Sequence, residues 1–453
     1  MPTRKLWLAA LLFVGVTGIL ALAADWPSQG GNPQHSGWAR SEQFINKTSV
    51  PGLQLLYKYR PANEAQGLNS LTPPIVDGNL ITYLGFKEML MFGASSNKVF
   101  SVDADLNKLI WESHWQSRGE KSGNSTPTLA CPGGLTAPVA MAGSSSSSMN
   151  FAAEARRPAP VPGVIPRRPS PYLPPLSQSV YPLTPTTLTR LAAVYAVSSD
   201  GSLHVVNSST GQDLLPSMAF LPANSKVTGL VFRDNVVYAT TADGCNGSPN
   251  AVYALDLLSA DKRVASFAPQ GGGFAGTNGM TVGNDGTIYV QTSYAPGDAV
   301  GQSHDTVVAL TPKELKVKDY FVVPGKPLSK KDVLSPGITP LVFSGAGKDM
   351  LLAGARNGRL YLLDSTSLGG ADHHTPLFES PALARGDKSY DGNGFRGAFS
   401  TWLDTESATR WFYAPVSGPT PSLAQLAAGS NASSSQTGPR RRTRSNPATC
   451  WRR

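Results

Sequence analysis

The sequence predicts an all-β chain built from repeated four-stranded units, on three observations. The 453 residues include 45 glycines and 37 prolines, which favours turns and works against long helices. Short runs of β-favouring residues recur, each bounded by Gly, Asn or Asp. The runs are also phased. Four apolar or β-favouring residues precede Asp103, Asn207, Asp256, Thr311 and Asp364, at spacings of 104, 49, 55 and 53 residues. Apolar residues make up 40% of the chain, enough for a sizeable core, so wholesale disorder is excluded.

A second motif precedes each of these runs. Thr72-Pro73-Pro74-Ile75-Val76-Asp77-Gly78 leads into Leu80-Ile81-Thr82-Tyr83, and Thr126-Pro127-Thr128-Leu129 opens the second unit. Thr228-Gly229-Leu230-Val231-Phe232 leads to Val236-Val237-Tyr238-Ala239. Gly279-Met280-Thr281-Val282 leads to Thr287-Ile288-Tyr289-Val290. Ile338-Thr339-Pro340-Leu341-Val342 leads to Met350-Leu351-Leu352-Ala353, and Ala398-Phe399-Ser400-Thr401-Trp402 to Arg410-Trp411-Phe412-Tyr413. Each unit reads as strand, tight turn, strand, loop, strand. A weaker fourth strand follows, such as Leu109-Ile110-Trp111 or Tyr320-Phe321-Val322-Val323. Four strands per ~50 residues is the signature of β-propeller blades, which bury their faces only by stacking around an axis. A β-sandwich also has short strands but not this phasing. Five blades and the first half of a sixth are counted, with a further strand at 53–60. The sixth blade is expected to be cut after Tyr413, so that the propeller is truncated.

Three segments lie outside this rhythm. Residues 1–23 carry Arg4 and Lys5, then an apolar run, then Ala21-Leu22-Ala23, the pattern of a signal peptide. An uncleaved anchor is the alternative. No later run is long enough for a membrane helix. The chain is therefore expected to be exported, to the periplasm or outside the cell, with no transmembrane segment after cleavage. Residues 138–190 hold 11 prolines and a serine run, and proline cannot donate within a sheet. They predict a disordered insertion in the propeller domain at 24–417, which accounts for the doubled first spacing. Residues 418–453 hold six arginines and no acidic residue, a disordered and possibly aberrant basic tail.

These segments also decide what the formal charge of +9 means. The leader contributes +2, the insertion +4 and the tail +6, which leaves about −3 on the blades. The basic balance lies outside the fold, so no nucleic-acid partner is expected.

Ser101-Val102-Asp103-Ala104-Asp105-Leu106-Asn107-Lys108-Leu109-Ile110-Trp111 resembles the tryptophan-docking repeat of the pyrroloquinoline quinone (PQQ) propellers, the quinoprotein alcohol dehydrogenase-like family. The chemistry of the repeat is readable. Asp103 caps a turn, Asn107 takes a left-handed backbone, and Trp111 packs between blades. Residues 206–211 give a weaker copy without the tryptophan. Asp25-Trp26-Pro27, Gly31-Asn32-Pro33, His35 and Asn46-Lys47-Thr48-Ser49-Val50 also look like the mature start of such chains.

The resemblance covers about 25–416 and implies the fold; activity has to be argued from a site. Family dehydrogenases use PQQ and calcium, and many carry a vicinal disulfide. This chain has no Cys-Cys pair. Asp103 to Asn107 mimics the start of a calcium loop, but Lys108 and Leu109 stand where Gly should, so it reads as a turn. Asp372-His373-His374 reads as a solvated turn. The candidate axial ligand site is Asp391, Asn393 and Arg396, in the DKSYDGNGFR connection at 387–396. The alternative is a Gly-rich loop that satisfies its own backbone. Cys131, read as ending the first strand of blade 2, and Cys245, in a turn of blade 3, are candidates for a disulfide, with two free thiols as the alternative. Cys450 is expected to be unpaired.

The expected function is an exported PQQ-repeat propeller that binds a small molecule or a protein at its axis, without catalysis. The alternative is a PQQ- and calcium-dependent alcohol or sugar dehydrogenase. A third possibility resembles the propeller lipoproteins of outer-membrane assembly, against which stands the lack of a lipid-attachment cysteine.

Overall fold

The computed structural model describes residues 25–429 except 41, 43, 47, 64–70, 83–84, 116–127, 129–130, 132, 143–192, 270–272, 275–277, 293–304, 325–338, 346, 356, 384–393, 396, 405–406 and 418–421. It contains no α-helix among these residues, only 3-10 turns and strands.

The strands form six antiparallel sheets in chain order. Blade 1 is β1 (Ile75–Thr82), β2 (Gly85–Ala94), β3 (Lys98–Asp103) and β4 (Lys108–His114). Blade 2 is β5 (Ala140–Met141), β6 (Ala193–Val197), β7 (Ser202–Asn207) and β8 (Asp213–Ala219). Blade 3 is β9 (Lys226–Arg233), β10 (Val236–Ala242), β11 (Val252–Asp256) and β12 (Val264–Phe267). Blade 4 is β13 (Thr281–Val282), β14 (Ile288–Thr292), β15 (Thr306–Leu310) and β16 (Val317–Val322). Blade 5 is β17 (Leu341–Gly345), β18 (Lys348–Gly354), β19 (Leu360–Asp364) and β20 (Phe378–Glu379). Blade 6 is β21 (Gly394–Phe395), β22 (Ser400–Asp404), β23 (Thr409–Ser417) and β24 (Ser422–Gly429). The architecture is a β-propeller. The phased runs ending near Asp103, Asn207, Asp256, Thr311 and Asp364 are the third strands of blades 1 to 5.

The blades stack because the middle strands are apolar on both faces. Side chains alternate across a strand, so neighbours along it serve opposite interfaces. Tyr195 and Val197 of β6 pack toward blade 3 with Leu230, Val237 and Leu255. Val194 and Ala196, between them in sequence, pack toward blade 1 with Met89, Met91 and Trp111. The same alternation builds the 3–4, 4–5 and 5–6 interfaces around Tyr238 and Ile288, Tyr289 and Leu351, and Leu352 and Phe412. At ~25 cal/mol per Å² of apolar surface, these interfaces supply much of the driving force for the ring.

Several elements differ from the sequence expectation. Asp77-Gly78 is not a hairpin turn. It sits at a bulge in β1, where the register shifts between Asp77 and Leu80, and the Gly78 N–H donates to Asp25 Oδ1 at 2.9 Å. The second strand of blade 1 therefore begins at Gly85. In blade 2 the first strand is Ala140–Met141, inside the stretch read as insertion, and Thr128 belongs to no strand, its N–H donating to Cys131 O at 3.1 Å. Pro and Ser on both sides hide that short strand, yet Val139 and Ala140 are fully buried.

Residues 53–60 form no ladder. Tyr59 lies against the outer face of blade 1 beside Phe92 and Phe100, and Leu53, Leu55 and Leu56 are exposed. At the other end, β23 runs past Tyr413 to Ser417, and β24 covers its far edge from Thr409 to Val416. The ordered chain thus enters the region read as tail. An exposed edge leaves backbone groups unpaired, and the additional strand satisfies them. β21 and β22 lie in line on the near edge of β23, so blade 6 has three strand positions.

Candidate functional site

Two faces of the propeller differ in build. On one, first-to-second and third-to-fourth strands join by tight turns such as 104–107, 234–235 and 311–316. Longer connections are 365–377, which holds a 3-10 turn, and 143–192, which lies outside the described residues. On the other lie the second-to-third connections and the blade-to-blade connections, and here Cys131 and Cys245 fall.

Asp391, Asn393 and Arg396 lie outside the described residues. Of the described residues nearby, Leu383 N–H donates to Gly358 O at 2.7 Å, and Gly394 and Phe395 pair with Ser417 and Val416 of β23. The ends of the blade 5–6 connection are thus on the connection face, with Phe395 buried between blades 5 and 6.

Cys131 and Cys245 are bonded, with Cα atoms 5.5 Å apart across a separation of 114 residues. Cys131 lies in the blade 1–2 connection rather than at the end of a strand. Cys245 opens a 3-10 turn in the second-to-third connection of blade 3, where Gly244 and Asn246 take left-handed conformations. The bond staples two connections on the same face.

On the same face, blades 1 and 2 are locked by an amide. Asn97 Oδ1 accepts the Ser199 N–H and Asn97 Nδ2 donates to Ser199 Oγ, both at 2.8 Å. Ser198 Oγ then lies 2.5 Å from Asp200 Oδ1 and 2.9 Å from His204 Nε2, and the His204 ring stacks on Trp115 at 4.1 Å. This trio superficially suggests nucleophilic chemistry. Burial lowers the His204 pKa, partly offset by the Asp213 and Asp200 charges. Burial would raise the Asp200 pKa, but hydrogen bonds from Ser198 and Ser202 bring it below the ordinary value. Ser198 has one proton, which goes to the ionised carboxylate, so the imidazole must donate. The hydroxyl is a turn-closing group, not an activated nucleophile.

The docking residues of blade 1 form a connected set. Asp103 Oδ1 accepts the N–H groups of Asp105 and Leu106 at 3.1 and 3.0 Å, and its other oxygen pairs with Lys87. Asn107 has a φ of 52°. Trp111 is buried, its indole N–H donates to Ser208 O at 2.7 Å, and its ring lies on Gly211 of the next blade. A Cβ on Gly211 would stand 2.5 Å from the ring.

His373 and His374 are spent on structure. His373 Nδ1 is 3.0 Å from Tyr320 O and 3.2 Å from Asp319, and its ring stacks on Tyr320 at 3.9 Å. His374 Nδ1 is 3.2 Å from Val322 O. Among the described residues no group of three His, Cys, Asp or Glu side chains is arranged to hold a metal.

One feature of the axis had no signal in the repeats. Residues 26–37 run along the inner edges of the first strands. Trp26 pairs with Val76 of blade 1 through both backbone groups, at 2.8 and 2.9 Å. Met141 N–H of blade 2 donates to Pro27 O at 2.9 Å, and Val282 N–H of blade 4 to Pro33 O at 2.8 Å. Val342 N–H of blade 5 donates to Gln34 O at 3.0 Å, and Thr401 N–H of blade 6 to Ser36 O at 2.8 Å.

Solved structures of similar shape include quinoprotein dehydrogenases. The chain superposes on quinohemoprotein alcohol dehydrogenase from Comamonas testosteroni with a TM-score of 0.53 at 16% identity, covering 89% of this chain. The likeness is one of fold, a β-propeller. It superposes likewise on a europium-containing methanol dehydrogenase (TM-score 0.51, 14% identity, 90% of this chain and 73% of that one). A third is quinohemoprotein alcohol dehydrogenase ADHIIG from Pseudomonas putida HK5 (TM-score 0.51, 12% identity, 87% of this chain). The chain spans 59% and 57% of the two quinohemoprotein chains. No protein-family model and no curated protein matches the sequence.

The described residues of this propeller do not fit a PQQ–calcium site. The disulfide joins distant cysteines instead of adjacent ones, and the acidic side chains on the connection face, such as Asp200, are engaged in turns.

Proposed function

We propose that the chain is an exported PQQ-repeat propeller that binds a small molecule or a protein segment on its connection face, as a scaffold without catalysis. One observation carries this reading. The polar groups described above on that face hold blades together, through the Cys131–Cys245 bond and the Asn97–Ser199 pair, or close turns, as Ser198 and Asp200 do, and none of these is arranged as an acid, base or nucleophile. A rigid rim around variable connections is what a binding platform requires. Export is supported by the leader pattern at 1–23 and by a disulfide that needs an oxidising compartment. Among the described residues no helix is long and apolar enough to cross a membrane.

The second reading is a PQQ- and calcium-dependent dehydrogenase of an alcohol or sugar. It is favoured by the shape shared with quinohemoprotein alcohol dehydrogenase. Asp391, Asn393 and Arg396 would then contact the quinone or its metal.

The two separate in one experiment. The purified protein is titrated with PQQ in calcium, with quinone absorbance and fluorescence followed. Dye reduction is then assayed with alcohols and aldose sugars. The scaffold reading expects no saturable quinone binding and no turnover. Quinone-dependent dye reduction that is lost in Asp391→Ala would replace it with the enzyme reading.

A further inference from the structure

The order of contacts along residues 26–37 follows the order of blades around the ring. Trp26, Pro27, Pro33, Gln34 and Ser36 meet blades 1, 2, 4, 5 and 6 in turn. Every contact is a backbone hydrogen bond from the inner edge of a first strand, the edge that faces the axis of a propeller. A segment bonded to strands on all sides of the axis lies across it.

We infer that residues 26–37 form an axial strap, which clasps five of the six blades from inside and closes the channel, leaving one blind mouth on a single face.

The strap is built to fill that space. Gly30 and Gly31 turn it with φ of 79° and 89°, and Gly37 turns it again at 58°. The Gly37 N–H returns to Gly30 O at 2.9 Å. Asn32 bridges the loop, its Oδ1 accepting Ser36 N–H at 3.0 Å and its Nδ2 donating to Ser36 Oγ at 2.6 Å. The Trp26 ring lies on Gly31, where a Cβ would stand 3.0 Å away. Ser28, His35 and Ser36 are buried, Ser36 at 0% exposure. A strand that merely skirted a rim would leave such polar side chains in water. At Gly37 the wall is close: a Cβ there would lie 2.6 Å from Ser400 Cβ and 3.1 Å from Ser400 Cα.

The clasp explains how a ring of six blades can keep its curvature when, among the described residues, the outer face of blade 1 is covered by Tyr59. Each of these five blades contributes one inner-edge N–H, so the strap satisfies donors that the channel would bury.

Amide hydrogen exchange on the full chain tests the inference. In the native protein the Val76, Met141, Val282, Val342 and Thr401 amides should exchange at least 100-fold more slowly than exposed amides. Gly37→Val should push the strap from blade 6 and speed exchange at Val342 and Thr401 at least tenfold, with Tyr238 in β10 unchanged. Free exchange at the five amides of the native protein would overturn the clasp. So would unchanged protection at Val342 and Thr401 in a folded Gly37→Val variant.

Closure has its own test should that variant not fold. A cysteine in place of Ser36 (S36C), read by mass on its peptide, should react with a small maleimide at least 100-fold more slowly in the native than in the denatured chain. Equal rates would show an open channel and overturn the blind mouth.

Discussion

The indole N–H of Trp111, on the fourth strand of blade 1, donates to the carbonyl oxygen of Ser208 in blade 2 at 2.7 Å, across 97 residues of sequence. The ring stands on Gly211, so one side chain both packs and pins the neighbouring blade. Trp111→Ala should cost about 3–5 kcal/mol through the cavity it leaves. Trp111→Phe should cost about 1–2 kcal/mol, mainly through the lost hydrogen bond. Gly211→Ala should also destabilise, since φ is 70° and the new Cβ meets the indole. Urea midpoints of the three variants check the order. Wild-type stability in Gly211→Ala would contradict the docking geometry.

The Cys131–Cys245 bond closes a loop of 114 residues that includes the whole of blade 2. Loop-closure entropy in the unfolded chain puts its contribution at roughly 2–5 kcal/mol. Reduction with dithiothreitol, or the double Cys→Ser variant, should lower the melting temperature. It should also speed proteolysis in the connections the bond ties. Comparing the reduced native protein with the double variant isolates the bond, since the two should agree.

His35 gives the strap a pH dependence. Burial lowers its imidazole from 6.5 to about 4 in the folded chain. Both ring nitrogens are buried without a partner. As pH falls, the unfolded chain binds the proton first. The stability is therefore fully present above pH 6.5, declines between 6.5 and about 4, and is flat below. The loss across that window is roughly 3 kcal/mol. Urea unfolding at several pH values should show a shallower slope in His35→Leu than in the native chain. Identical slopes would remove the assignment to His35.

Asn97 uses its acceptor on the Ser199 N–H and its donor on Ser199 Oγ, both in a buried contact between blades 1 and 2. Asn97→Ala leaves the Ser199 amide without that acceptor and should cost about 1–3 kcal/mol. Asn97→Asp keeps the acceptor and should cost less near neutral pH. Thermal unfolding of the pair gives the comparison, and an equal loss in both would place the effect in packing.

The five third strands, the fourth strands at Leu109 and Tyr320 and the docking turn from Asp103 to Trp111 were legible in the sequence. Each depends on residues close together in the chain: an apolar run, a turn residue with the right φ, an aspartate that caps its own turn. Where one of those signals was locally ambiguous, the reading slipped. Asp77-Gly78 has the composition of a hairpin and is a bulge, because Asp25, far back in the sequence, takes the Gly78 amide. Ala140–Met141 is too short to signal a strand among prolines, and pairing with Tyr195 and Val194 makes it one.

The candidate site divides along the same line. The sequence proposed Cys131 with Cys245 because both fall in adjacent blades, but the 5.5 Å approach of their Cα atoms belongs to the packed ring. Asp391, Asn393 and Arg396 carry no neighbours in sequence that could fix a ligand's geometry.

The sequence by itself determined the blade: a period near 50 residues, strands apolar on both faces, and turns built from Gly, Asn and Asp. It did so because strand alternation and turn conformation are local properties of the chain. The tertiary structure alone decided what lies at the axis. Residues 26–37 have no periodicity to betray them, and their partners Val76, Met141, Val282, Val342 and Thr401 offer only backbone groups. A backbone donor is the same at every position, so which ones meet Trp26, Pro27, Pro33, Gln34 and Ser36 is fixed only when the blades close around them.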